Sequence, residues 1–142
     1  MSRQYISKAK RKRVAVAFRW RCAYCQTAER IVGPVLEIDH IVPESQGGDA
    51  AESNLALACP LCNSHKASQT AAIDPESNQP TPLFHPRLQK WEEHFEWVDG
   101  GAVIRGKTPV GRATVAALQM NHTDAVATRR LWVEVGWHPP QD

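Results

Sequence analysis

The chain has 142 residues, 42% of them hydrophobic and 23% charged, with a formal net charge of +2. That is one compact domain, or one domain with an appendage. No apolar run approaches the about 18 residues of a membrane span, no apolar core follows the basic N-terminus as a secretory leader requires, and no repeat of about 20–50 residues recurs; the expected setting is cytoplasmic and away from membranes.

The charge is unevenly spread. Residues 1–21 hold Arg3, Lys8, Lys10, Arg11, Lys12, Arg13, Arg19 and Arg21 and no acid, so this block is +8 and the remainder is −6. A cationic block on an acidic body points to a polyanion partner. Residues 5–21 are expected to form a helix with Val14, Ala17 and Phe18 as its apolar stripe. Lys10, Arg11, Lys12 and Arg13 wrap most of one turn, and are candidate contacts to a DNA backbone.

Next come two CxxC pairs, Cys22-Ala-Tyr-Cys25 and Cys59-Pro-Leu-Cys62, and no further cysteine. Stable disulfides are rare in a reducing cytoplasm, and a redox CxxC needs one pair within a βαβ pattern. Two knuckles suit a tetrahedral zinc ion held by four thiolates. Such a site is closed to substrate, so its Zn2+ is expected to be structural, stapling 22–25 to 59–62.

Between the knuckles, residues 35–42 are β-branched and apolar with polar insertions, and read as a strand ended by Pro43. Gly47-Gly48 marks a turn. Asn54-Leu-Ala-Leu is a second extended stretch. Pro60 suits a first helical turn, and no breaker follows from Cys62 to about Thr70. Asp39 and His40 end the first strand on opposite faces. Asn63 and Lys66 share one face of the helix. A carboxylate and a carboxamide suit a hard cation such as Mg2+ or Mn2+. An imidazole can take a proton from water near neutral pH. Together they suit phosphodiester hydrolysis.

In order, the motif reads Cys22-x-x-Cys25, Asp39-His40-Ile41-Val42-Pro43, Gly47-Gly48, Asn54-Leu55 and Cys59-x-x-Cys62-Asn63-x-x-Lys66. This run resembles the HNH endonuclease family, the ββα-metal nuclease fold, in its four-cysteine zinc variant, of the small standalone bacterial type. The resemblance implies an α+β fold. It implies His40 as general base, Asp39 and Asn63 as ligands of the catalytic cation, and Asn54 as the residue shaping the loop behind His40. It further implies metal-dependent cleavage of DNA to 5′-phosphate and 3′-hydroxyl ends. Lys66 and His65 are candidate DNA contacts, and Glu37, on the Asp39 face, is either a supporting acid or a solvent-facing residue. A silent zinc-knuckle binding module and an RNA nuclease are the rival classes. A homodimer would give one active site per strand, and the sequence displays no interface for one.

The rest divides as follows: 1–21 basic helix, 22–70 nuclease core, 71–82 a polar, proline-punctuated linker, and 83–142 an extension. In the extension, residues 94–105 read as a hairpin around Asp99-Gly100-Gly101. Thr108-Pro109 opens a helix to about 120, and a second runs from about 121 to Val135. The FHPR, WxxHF and GRATV stretches resemble the tail of the same family's standalone members. Arg87, His94, Arg105, Lys107, Arg112, Arg129 and Arg130 make the extension either a DNA-engaging module or a packing wrap.

Overall fold

The computed structural model describes residues 5–141; Arg3 and the rest of 1–4 lie outside the described residues. The chain forms two compact units, residues 1–70 with 85–88, and residues 71–84 with 89–142.

In the first unit, helix α1 (Lys8–Ala17) is capped by Ser7, whose hydroxyl accepts the Lys10 N–H at 3.1 Å. It is shorter than the expected 5–21. Arg19 and Trp20 both take left-handed backbone (φ 57° and 58°), and the Trp20 N–H turns back to the Ala15 carbonyl at 2.8 Å. The buried residues of the helix are Val14 and Ala15, so Ala15 replaces the expected Ala17 in the stripe. A short helix α2 (Glu29–Val32) follows the first knuckle.

Strands β1 (Glu37–His40) and β2 (Leu55–Ala58) pair antiparallel, with Asp39 opposite Ala56 and His40 opposite Leu55. Directly opposed residues share a face. Ile38, Leu55 and Leu57 pack with Val14 and Ala15. Each large side chain buried here contributes roughly 1.5–3 kcal/mol. On the other face, Ala56 and Ala58 are small, which leaves room for Glu37 and Asp39 to meet helix α3 (Pro60–Lys66). Helix α3 ends at Lys66 rather than near Thr70, because Ala67 adopts a positive φ of 49°.

In the second unit, the expected linker 71–82 is instead a hairpin of β3 (Ala71–Ile73) and β4 (Pro80–Pro82). Prolines are tolerated there because the strand is short and sits at an edge. A short helix α4 (Trp91–His94) leads into β5 (Phe95–Val98), which pairs with β6 (Val103–Gly106). Helices α5 (Pro109–Ala117) and α6 (Thr123–Glu134) follow. Gly111 allows α5 to approach β6 and α4: a Cβ there would lie 2.0 Å from the His94 carbonyl oxygen.

Asp74 anchors this unit. It is fully buried, accepts from Ser77 Oγ at 2.7 Å, and takes both Nε and Nη2 of Arg112 at 3.0 and 2.9 Å. Arg129, also buried, donates to the carbonyls of Ala102 and Met120 at 2.6 and 2.9 Å. Hydrogen bonds from Arg112 and Ser77, against burial, hold the Asp74 carboxyl well below the usual carboxylate range. A depressed folded-state pKa stabilises the protein above the unfolded value of about 3.9, and that stabilisation is lost as pH falls towards the folded value. Asp74→Asn should therefore lower the melting temperature at neutral pH and flatten its fall below about pH 4, as read by thermal unfolding of the intact chain across an acid series.

Candidate active site and metal centre

The two knuckles bring Cys22, Cys25, Cys59 and Cys62 together, with all four sulfurs within 4.8 Å of one another. Each knuckle is wound the same way: the Cys25 N–H points to Cys22 Sγ at 3.5 Å, and the Cys62 N–H to Cys59 Sγ at 3.4 Å. Cys25 Sγ and Cys59 Sγ are 3.6 Å apart, close to the edge of about 3.8 Å expected for a tetrahedron with zinc–sulfur bonds of about 2.3 Å. Burial pushes the Cys22 thiol up. Hydrogen bonds from Cys22, Cys59 and Cys62 pull Cys25 down. Four buried sulfurs at this spacing cannot all carry charge alone, and a dication such as zinc fits the donor set.

Tyr24 links this centre to strand β1. It lies inside the first knuckle, is fully buried, and its hydroxyl donates to Asp39 Oδ2 at 2.7 Å. The other oxygen, Oδ1, accepts Lys66 Nζ at 3.2 Å. Lys66 Nζ also donates to the backbone carbonyls of His40 and Ile41, each at 3.1 Å. Lys66 is 2% exposed and Asp39 3%. Burial raises the Asp39 carboxyl, and the Lys66 charge and the Tyr24 hydrogen bond oppose the rise. One step along the same interface, Asn63 Nδ2 donates to Glu37 Oε1 at 2.8 Å, which leaves the Asn63 carbonyl oxygen as an acceptor. Asp39 uses two of a carboxylate's roughly four lone-pair directions. The Asp39 carboxylate and the Asn63 carboxamide oxygen are hard donors of the kind that a divalent cation such as Mg2+ takes.

The backbone after His40 is pinned from the other side by Asn54. Its carbonyl accepts the Ile41 N–H at 2.8 Å, and its side chain bonds both the N–H and the carbonyl of Val42 at 2.9 Å. Gly48 makes this possible, since a Cβ there would lie 1.7 Å from the Val42 oxygen. Among the described residues, His40 Nε2 has no hydrogen-bond partner, and it faces Glu44 Oε1 at 3.5 Å.

Not every candidate from the sequence lies where a nucleic acid could reach it. Lys66 is an internal cation, which corrects its reading as a DNA contact: the Asp39 carboxylate and two carbonyls hold it inside. Lys10 is half-buried and donates to the Ala50 carbonyl at 2.8 Å, and Arg13 is exposed but pairs with Glu52; Arg11 and Lys12 are exposed, and His65 is half-buried. Arg87 lies over the Phe18 ring at 4.9 Å and donates to the Leu55 carbonyl. In the second unit Arg105 pairs with Glu96, Arg130 with Asp99, Lys107 bonds the Glu92 carbonyl and His94 bonds Thr108. With Arg112 and Arg129, these side chains are committed within their own unit, which favours the packing wrap. The sequence reading assigned no role to Tyr24 or Glu44. Tyr24 sits inside the first metal-binding turn, and Glu44 stands four residues beyond His40 with a strand end and Pro43 between them rather than a helix, so no strand or helix pattern linked either to the site.

Residues 22–69, about a third of the chain, match the family model described as HNH endonuclease. This segment is an HNH endonuclease domain, a class of nuclease acting on nucleic acid, and its four clustered cysteines are consistent with the zinc-binding variant. No curated protein and no solved structure matches the chain.

Two outcomes follow from this geometry. Purified protein should carry one zinc per chain, and Cys59→Ala should lose it and unfold the first unit, as checked by metal analysis and circular dichroism. Lys66→Met leaves the buried Asp39 carboxylate uncompensated and should destabilise the protein by about 3–5 kcal/mol. Denaturant titration measures this; a surface lysine would leave stability nearly unchanged.

Proposed function

We propose that the chain is a metal-dependent DNA endonuclease that hydrolyses phosphodiester bonds and leaves 5′-phosphate and 3′-hydroxyl ends. The observation that carries this reading is the treatment of His40 within an HNH domain. The backbone beyond it is held by Lys66 and by Asn54, while its Nε2 faces Glu44 and has no hydrogen-bond partner among the described residues.

In this reading His40 is the general base and takes a proton from the attacking water. Glu44 faces the ring and can balance the charge the imidazole gains. Asp39 and Asn63 would hold the divalent cation. A cation bound there supplies positive charge for the scissile phosphate and the leaving 3′ oxygen. Glu37 fixes the Asn63 amide so that its oxygen is the atom presented. Lys66 and Tyr24 hold the Asp39 carboxylate in one rotamer, so little reorganisation is required as substrate binds. Arg11 and Lys12 on α1 meet backbone phosphates, which positions the strand without reading its sequence.

The test is cleavage of supercoiled plasmid by zinc-loaded protein in Mg2+ or Mn2+. Nicked or linear product should appear, should vanish in EDTA, and should form about 10²–10⁴-fold more slowly with His40→Ala. Cleavage that persists at the parental rate in His40→Ala would remove His40 from the chemistry, and an inert wild-type protein would contradict the enzyme reading.

A further inference from the structure

Helix α1 does not run directly into the first knuckle. It ends in two successive left-handed residues, Arg19 and Trp20, a conformation rarely adopted by bulky side chains. The turn is nonetheless tied on every side. The Trp20 N–H bonds the Ala15 carbonyl at 2.8 Å, its carbonyl accepts the Glu29 N–H at 2.9 Å, the Arg21 N–H bonds the Phe18 carbonyl at 3.1 Å, and Arg21 bridges to Ala28. The backbone is therefore a firm base, and the indole it carries is 41% exposed.

Beside the indole lies an open cleft of about 570 Å³ lined by Arg19, Trp20, Arg21, Glu29, Arg30 and Pro34, among others. Three guanidinium groups and one carboxylate give these walls an excess of positive charge. The volume falls within the range of small-ligand sites, roughly 300–1,000 Å³. Arginine forks suit phosphate oxygens, and an exposed indole on a firm base suits a flat aromatic ligand. A nucleotide carries both.

We propose that this cleft binds an unpaired nucleotide of the nucleic acid, with its base stacked on Trp20 and its phosphate held by Arg19, Arg21 and Arg30. The site rests on the nuclease reading for its ligand class and adds a second place where the strand is gripped. A base inside a duplex has both faces covered by its neighbours, so only a strand end, a flap or an unpaired base can use the indole. The protein should accordingly favour substrates with a single-stranded segment.

The experiment is fluorescence anisotropy with a fluorescein-labelled twelve-nucleotide oligo(dT) and an abasic oligomer of equal length and charge. The protein is the zinc-loaded chain carrying His40→Ala, so that nothing is cut. Trp20→Ala should weaken oligo(dT) binding about 5- to 100-fold and leave the abasic probe unchanged. Trp20→Phe should restore most of the loss. Trp20→Gly, which suits the left-handed backbone, should behave as Trp20→Ala and guards against a folding defect. Arg30→Gln should weaken both probes and reduce the slope of log affinity against log salt by about 0.7. Parental oligo(dT) affinity in Trp20→Ala and Trp20→Gly, or equal losses on both probes, would overturn the site. If those variants bind like the parent while the wild-type chain still cuts plasmid, the cleft fails and the nuclease reading stands. A parent that binds neither oligomer nor duplex overturns both.

Discussion

A lysine ammonium sealed inside a small protein must be surrounded by oxygen, and the nuclease domain is arranged around that requirement. Lys66 Nζ reaches the Asp39 carboxylate and the carbonyls of His40 and Ile41. Helix α3 is thereby tied to the end of β1 at His40. Desolvating both charges is costly, and the attraction between them offsets this only when the geometry is fully satisfied. The Tyr24 hydroxyl completes the set on the second Asp39 oxygen. The arrangement holds the strand end in a single orientation.

Tyr24 joins the cysteine centre and strand β1 into one structure. It is positioned by the first cysteine knuckle, and the second knuckle caps α3, where Cys59 Sγ receives the Cys62 N–H. A cation on the four sulfurs fixes both ends of the Tyr24–Asp39–Lys66 chain at once. The aliphatic cluster of Val14, Ala15, Leu55 and Leu57 is small, so the first unit depends on this staple more than a larger core would. The second unit uses buried Arg–Asp and Arg–carbonyl bonds to the same end, at Asp74 and Arg129.

Much of the domain was legible because its chemistry is local in sequence. Paired CxxC turns announce a metal, and Asp39-His40 before Val42-Pro43, with Asn54 and Asn63 at their spacings, announces the ββα motif. What was not legible depends on depth. The i, i+3 relation puts Asn63 and Lys66 on one side of α3, yet only the packing of α3 against β1, with Asp39 and two carbonyls to receive it, decides that Lys66 points inward. Helix α1 was drawn too long because nothing in Arg19-Trp20 signals a left-handed turn. The 71–82 hairpin was hidden because three-residue strands bearing prolines look like a linker. The basic residues of the tail resembled a nucleic-acid face, and their partners, Asp74, Glu96 and Asp99, lie 9–38 residues away in sequence.

The proposed role of His40 is tested most directly by cutting a defined oligonucleotide in water enriched in heavy oxygen, with the parental chain and His40→Ala side by side, and weighing the products over time. The account predicts one heavy oxygen on a 5′-phosphate and an unlabelled 3′-hydroxyl, formed about 10²–10⁴-fold more slowly by His40→Ala. A 3′-phosphate or cyclic phosphate, or a 5′-phosphate without label, would contradict it.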